Sequence, residues 1–266
     1  MGKPYFDVPA GGGGGVALAL SHRGFALDGQ ENTLAAMEAA IKMGFAYLEI
    51  DVRTTRDGVV MVFHDERLER VTDGTGRVAD LTASELAKVR VRGREPIPTL
   101  AEVLARWPDV KLNIDVKDDG SVQPFVDVIE AAAAHDRVLV ASFSDRRRLR
   151  VLRALSRPAA SSAGMAVSAM IRILAPLGLA GWIARRARVD CLQVPRRYRG
   201  IPVVAEPFVR RCAAADLPVH VWTINEAPEM EELLALGVGG LVSDRADLLA
   251  QVMASRGEWP QHRLVP

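Results

Sequence analysis

Short apolar runs and helix-like segments take turns along this chain from residue 16 almost to its end. VALALSH (16–22), YLEIDVR (47–53), KLNIDVK (111–117), RVLVASF (137–143), CLQVP (191–195), PVHVWTI (218–224) and GGLVSD (239–244) read as strands. Candidate helices fall between them, at 33–43, 99–107, 121–134, 145–155, 205–215, 227–236 and 246–253. Alternation of this kind specifies a parallel sheet, because each strand returns to the same edge through a crossover helix. Seven or eight such units in about 250 residues favour a closed (β/α)8 TIM barrel over an open doubly wound sheet. A dinucleotide-binding fold would want G-x-G-x-x-G after the first strand, where SHRGFALDGQ stands instead.

One barrel domain is expected over 16–254, preceded by a flexible glycine-rich segment (1–15) and followed by a tail (255–266). The stretch 54–98 breaks the alternation and reads as an insertion after the second strand. It opens on Asp57-Gly58, a strong hairpin signal. A two-residue turn there would set Asp51 opposite His64 and Glu49 opposite Glu66. In 158–188 a short, small-residue strand should lead into an apolar barrel helix bent by Pro176, ending in Arg185, Arg186 and Arg188. Trp182 beside those arginines also allows contact with anionic lipid, although the barrel helix is the favoured reading.

A formal charge of +1 leaves no basic excess to neutralise a run of phosphates, so a dedicated nucleic-acid binder is not expected. Cys191 and Cys212 sit in apolar stretches, which excludes a disulfide framework and a cysteine-rich zinc site and fits a reducing compartment. The N-terminus does not resemble a secretion leader, and no charge-free window of 18 apolar residues occurs. A soluble cytoplasmic protein is expected.

In such a barrel the chemistry sits at the C-terminal ends of the strands. His22 and Arg23 close the first strand, Glu49 and Asp51 share one face at the end of the second, and Asp115 and Lys117 repeat that spacing on the next. Trp222, Asn225 and Asp244 end the last two. Glu49, Asp51 and Asp115 form an oxygen-only cluster suited to a hard divalent cation, or else pair with Arg53 or Lys117. Arg23 and Lys117 could hold an anionic substrate such as a phosphate. Asn225 reads as a cap for the following helix.

His22-Arg23-Gly24, Glu31-Asn32-Thr33, Glu49-Ile50-Asp51, His64-Asp65 with Leu68, and Asp73-Gly74-Thr75-Gly76 together resemble the glycerophosphodiester phosphodiesterase family. IPTLAEVL (97–104), NIDVK (113–117), VWTINE (221–226) and GVGGLVSDRADLL (237–249) extend the resemblance over nearly the whole chain beyond residue 16. The resemblance implies a TIM barrel with a small insertion after the second strand. It also implies cleavage of glycerophosphodiesters to an alcohol and glycerol 3-phosphate, using one divalent cation, Mg²⁺ or Ca²⁺, and two histidines. Carried over by residue, His22 and His64 become the acid–base pair, and Glu49 and Asp51 metal ligands. Asp115 falls where the family's third ligand is usually Glu. Arg23 and Lys117 become phosphate contacts, Glu31 a supporting residue and Trp222 an aromatic wall of the pocket. Asp65 would act only as a local hydrogen-bond partner. Two alternatives are a phospholipase D-like lyase on lysolipids or sphingolipids, whose relatives share Asp115-x-Lys117, and a non-catalytic phosphodiester-binding relative.

Overall fold

The computed structural model describes residues 3–7 and 16–261. Eight parallel strands form the barrel: β1 (Leu18–His22), β2 (Tyr47–Thr54), β3 (Lys111–Val116), β4 (Val138–Ala141), β5 (Ala160–Ser161), β6 (Leu192–Pro195), β7 (Val219–Trp222) and β8 (Gly240–Ser243). Consecutive strands pair in parallel from β1 to β5 and from β6 to β8, and β8 pairs back onto β1. The ring closes between β5 and β6 through a parallel bridge of Ser162 with Cys191, beside an Asp190 N–H to Ser161 carbonyl bond of 2.8 Å. The two-residue period of the strands sorts their side chains. Leu18, Tyr47, Leu139, Ala160 and Val242 gather in one core cluster inside the ring. Ala19, Leu48, Ile50, Val140 and Val219 join the cluster beneath the helices.

The crossovers are α1 (Leu34–Lys42), α2 (Leu100–Arg106), α3 (Val122–Ala131), α4 (Asp145–Ala154), α5 (Met165–Leu174), α6 (Ala180–Ala187), α7 (Glu206–Ala213), α8 (Ala227–Ala235) and α9 (Ala246–Ser255). Thr33, Thr99 and Ser144 cap α1, α2 and α4 by accepting a backbone N–H from the first turn. The single bent helix expected in 158–188 is instead two helices, α5 and α6. A 3₁₀ turn at Ala175–Leu177 separates them, because Pro176 has no N–H and Gly178 takes a left-handed conformation (φ +74°).

The hairpin register differs from expectation by one residue. Val52 pairs with Val62, Arg53 with Met61 and Thr54 with Val60, so Asp51 faces Phe63 rather than His64. The loop has three residues, Arg56 to Gly58, with Gly58 at φ +86° supplying the left-handed position such a loop needs. The Thr55 hydroxyl steadies it by accepting the Val59 N–H (2.9 Å) and donating to the Asp57 carboxylate (2.6 Å). Glu66 lies exposed against Arg77, far from its expected place opposite Glu49. The rest of 54–98 packs its own small core, including Met61, Phe63, Leu68, Leu86 and Ile97.

Residues 3–7, expected to belong to a flexible segment, seal the base of the barrel. Tyr5 is fully buried edge-on to Tyr47, and the buried Lys111 ammonium donates to the carbonyls of Pro4 (2.6 Å) and Asp7. An inward lysine on β3 needs those acceptors, which explains the ordering of Pro4–Phe6. The expected glycine run, Gly11 to Gly15, lies outside the described residues. At the other end Trp259 stacks edge-on against Phe45 (4.7 Å), and Gln261 bonds to Ala17 O (2.7 Å) and Ala19 N (3.0 Å). Within the expected tail, 255–266, Trp259 thus packs on the link between α1 and β2 and Gln261 fastens β1, whereas 262–266 lie outside the described residues. No helix among the described residues is long and apolar enough to cross a membrane.

Candidate active site

Parallel register brings the charged ends of β1, β2 and β3 into one layer. His22 lies beside Glu49, and Asp51 beside Asp115. Asp51 is fully buried, and Glu49 and Asp115 nearly so. Burial opposes ionisation of all three carboxyls. For Asp51 the adjacent Lys117 and Arg23 outweigh it and hold the acid down to about 2. Glu49 has weaker compensation and stands next to the Asp51 charge, so it is pushed up to about 7.

Arg23 turns the chain out of β1 in a left-handed conformation (φ 58°) and sends its guanidinium back over the layer. Its Nε lies 2.9 Å from Asp51 Oδ2, and its Nη1 donates to Glu31 (2.7 Å). Gly24 follows at φ +80°, where a Cβ would stand 2.6 Å from the Ala36 carbonyl carbon. Only glycine lets the loop pass so close to α1. Glu31 also accepts from Arg70 of the insertion (2.6 and 3.0 Å), linking the insertion to the mouth. Lys117 Nζ bridges Asp51 Oδ1 (2.7 Å) and Asp115 Oδ2 (2.6 Å).

Both histidines are held at Nδ1 by an aspartate. His22 Nδ1 lies 2.5 Å from Asp244 Oδ1, and its Nε2 lies 3.6 Å from Glu49 Oε2. Burial disfavours its charged form, but Glu49 and the Asp244 bond prevail and raise its pKa. His64 Nδ1 lies 2.6 Å from Asp65 Oδ1. Partial burial lowers its pKa despite the attraction of Asp51. His64 reaches the layer from beyond the hairpin ladder, where Arg53 Nε ties down its carbonyl (2.8 Å).

The structure thus gathers His22, Arg23, Glu31, Glu49, Asp51, His64, Asp115 and Lys117 in one connected network. Trp222 stands at its edge, facing Phe143 at 5.9 Å, with Lys117 Nζ 5.6 Å from the same Phe143 ring. Asn225 is not the expected cap. Its amide donates to Asp244 (2.9 Å) and its oxygen accepts the Asp244 N–H (3.0 Å), so it positions the partner of His22. Asn32, which was not among the expected site residues, donates to Asp51 Oδ2 (3.0 Å). Its place inside the Glu31–Thr33 motif was the available signal.

The chemistry of the donor set fits a hard cation, and Glu49 Oε2 and Asp115 Oδ1 are buried without a hydrogen-bond partner. Among the described residues, however, no three His, Cys, Asp or Glu side chains are arranged so that they could together hold a metal ion. Lys117 occupies the space between Asp51 and Asp115 as their counter-charge.

The glycerophosphoryl diester phosphodiesterase family matches residues 22–248 of this chain. A probable glycerophosphodiester phosphodiesterase 2 from Mycobacterium tuberculosis is 42% identical over 92% of this chain and 94% of its own length. Among solved structures, a Silicibacter pomeroyi protein described as a glycerophosphoryl diester phosphodiesterase superposes with a TM-score of 0.76 at 19% identity, covering 92% of this chain and 96% of its own. An Oleispira antarctica phosphodiesterase, solved with the product sn-glycerol-3-phosphate, superposes at 0.75 with 24% identity, covering 90% and 97%. At those identities the structural likenesses bear on the fold.

Proposed function

Because the chain belongs to the glycerophosphoryl diester phosphodiesterase family, we propose that its barrel mouth hydrolyses glycerophosphodiesters to an alcohol and sn-glycerol 3-phosphate, with His22 and His64 moving the protons. The observation that carries this reading is the pair of aspartate-anchored imidazoles above one carboxylate layer. With Nδ1 engaged, each imidazole presents Nε2 as the atom that takes or gives a proton. Cleavage of a phosphodiester needs one proton removed from the attacking hydroxyl and one delivered to the leaving oxygen, which two histidines supply.

Arg23 and Lys117 bring positive charge to where the phosphate must lie, offsetting its repulsion of the nucleophile. A divalent cation, Mg²⁺ or Ca²⁺, held by Glu49, Asp51 and Asp115 would add Lewis-acid neutralisation of the phosphate oxygens. Glu31 supports the site from outside by fixing Arg23, and Trp222 with Phe143 forms the apolar wall beside it. Lys117 already neutralises Asp51 and Asp115, two of the carboxylates that would hold such a cation, and keeps its ammonium at the level of the carboxylate layer. The product held by the Oleispira antarctica protein supports glycerol 3-phosphate as the product here.

The test is an enzymatic assay of glycerol 3-phosphate released from glycerophosphocholine and glycerophosphoethanolamine, before and after treatment with a chelator. Release that stops with chelator and returns with Mg²⁺ or Ca²⁺ is expected. Release that chelator leaves intact removes the cation from the reading, and no release from either substrate removes the reading itself.

A further inference from the structure

We propose that the rim made by α5, α6 and the hairpin after β6 docks on an anionic lipid bilayer. Nine of the ten large hydrophobic side chains exposed among the described residues lie between residues 143 and 201. The most prominent are Ile173 (71% exposed), Leu177 (70%) and Ile201 (68%). Two of the elements that carry them are joined directly. Arg172 of α5 donates from Nε to the Val203 carbonyl (2.9 Å), joining the helix to the hairpin of Arg197–Tyr198 with Ile201–Pro202. Apolar clustering on this scale marks an interaction site.

Charge chooses the occupant. The whole chain carries +1, yet residues 159–205 contain seven arginines and one acid, Asp190, which pairs with Lys3. Among the described residues Arg185, Arg186, Arg188, Arg197 and Arg199 have no carboxylate partner. Arg186 lies 5.8 Å from the exposed Trp182 ring and Arg199 lies 5.5 Å from the exposed Tyr198 ring. Aromatic side chains beside unpaired arginines, around protruding aliphatics, suit the headgroup layer of an anionic membrane. A second copy would set arginines against arginines across a two-fold interface, and a nucleic acid would leave Ile173 and Leu177 in water. The surface also reaches the mouth, since the Met165 N–H bonds to the Phe143 carbonyl (3.0 Å) and Phe143 faces Trp222.

Co-sedimentation of the full chain with vesicles tests this. Binding is expected to vesicles of phosphatidylglycerol with phosphatidylcholine at low salt, and not to phosphatidylcholine alone. Arg186→Ala and Arg199→Ala should each weaken binding about five-fold. Leu177→Asp should abolish it. All three should keep a wild-type circular dichroism spectrum and wild-type turnover of a soluble glycerophosphodiester. Wild-type protein that stays in the supernatant with phosphatidylglycerol vesicles overturns the proposal, as does binding that survives Leu177→Asp. A dimer in light scattering that Leu177→Asp splits would assign the surface to a second copy and overturn it equally.

Discussion

Two aspartates fix two imidazoles, and that arrangement makes the histidines separable from their supports by mutation. Either His22→Ala or His64→Ala is expected to lower turnover roughly 10²-fold or more while the protein stays folded. A folded His64→Ala protein with near-normal turnover would remove it from proton transfer. Asp244→Asn should act indirectly, costing about 10- to 100-fold in kcat with little change in KM, because it loosens His22 without touching substrate. A rise in KM alone would instead make Asp244 a binding residue. The histidines, arginine and carboxylates were legible in the sequence because their types and strand-end spacing restrict what they can do. Asn32 and Asn225 were not. Their roles exist only through Asp51 and Asp244, which lie 19 residues from each of them and meet them by folding.

Strands and turns carry a different lesson. Asp57-Gly58 announces a hairpin, but the pair fits a two-residue or a three-residue loop, and the choice shifts every cross-strand partner. Thr55 decided it by bonding across the turn, a contact no periodicity records. Strand interiors also hold an acid-sensitive element. His220 of β7 is fully buried with neither ring nitrogen partnered, and burial pushes its pKa down to about 4. Below an ordinary value of about 6.5 the unfolded chain takes up a proton that the folded chain refuses. Its contribution is therefore complete above about pH 6.5 and falls by about 3 kcal/mol as pH drops toward 4. In thermal melts over that range wild type should lose up to about 3 kcal/mol more stability than His220→Phe, its Tm falling more steeply as pH drops. Parallel curves would show that His220 titrates alike in both states.

At the scale of the whole molecule, the barrel's order of strands and helices was readable because alternation leaves few topologies open. The sealing of its base was not, since five glycines between Asp7 and β1 look like the mark of a detached tail. Tyr5, held beside the Lys111 ammonium, and Gln261 show that the described segments 3–7 and 259–261 pack into the core. Tyr5→Ala should cost about 3 kcal/mol and lower Tm by roughly 6–12 °C without altering kcat, because the plug and the mouth lie at opposite ends of the strands. An unchanged Tm would mean that residues 3–7 do not hold the base shut. The central claim, that this mouth cleaves phosphodiesters on the glycerol-retaining side, is open to one direct measurement. Phosphorus NMR of glycerophosphocholine incubated with the protein should show glycerol 3-phosphate appearing as substrate disappears, with the His22→Ala and His64→Ala proteins silent. Phosphocholine in place of glycerol 3-phosphate, or equal product from either histidine variant, would contradict it.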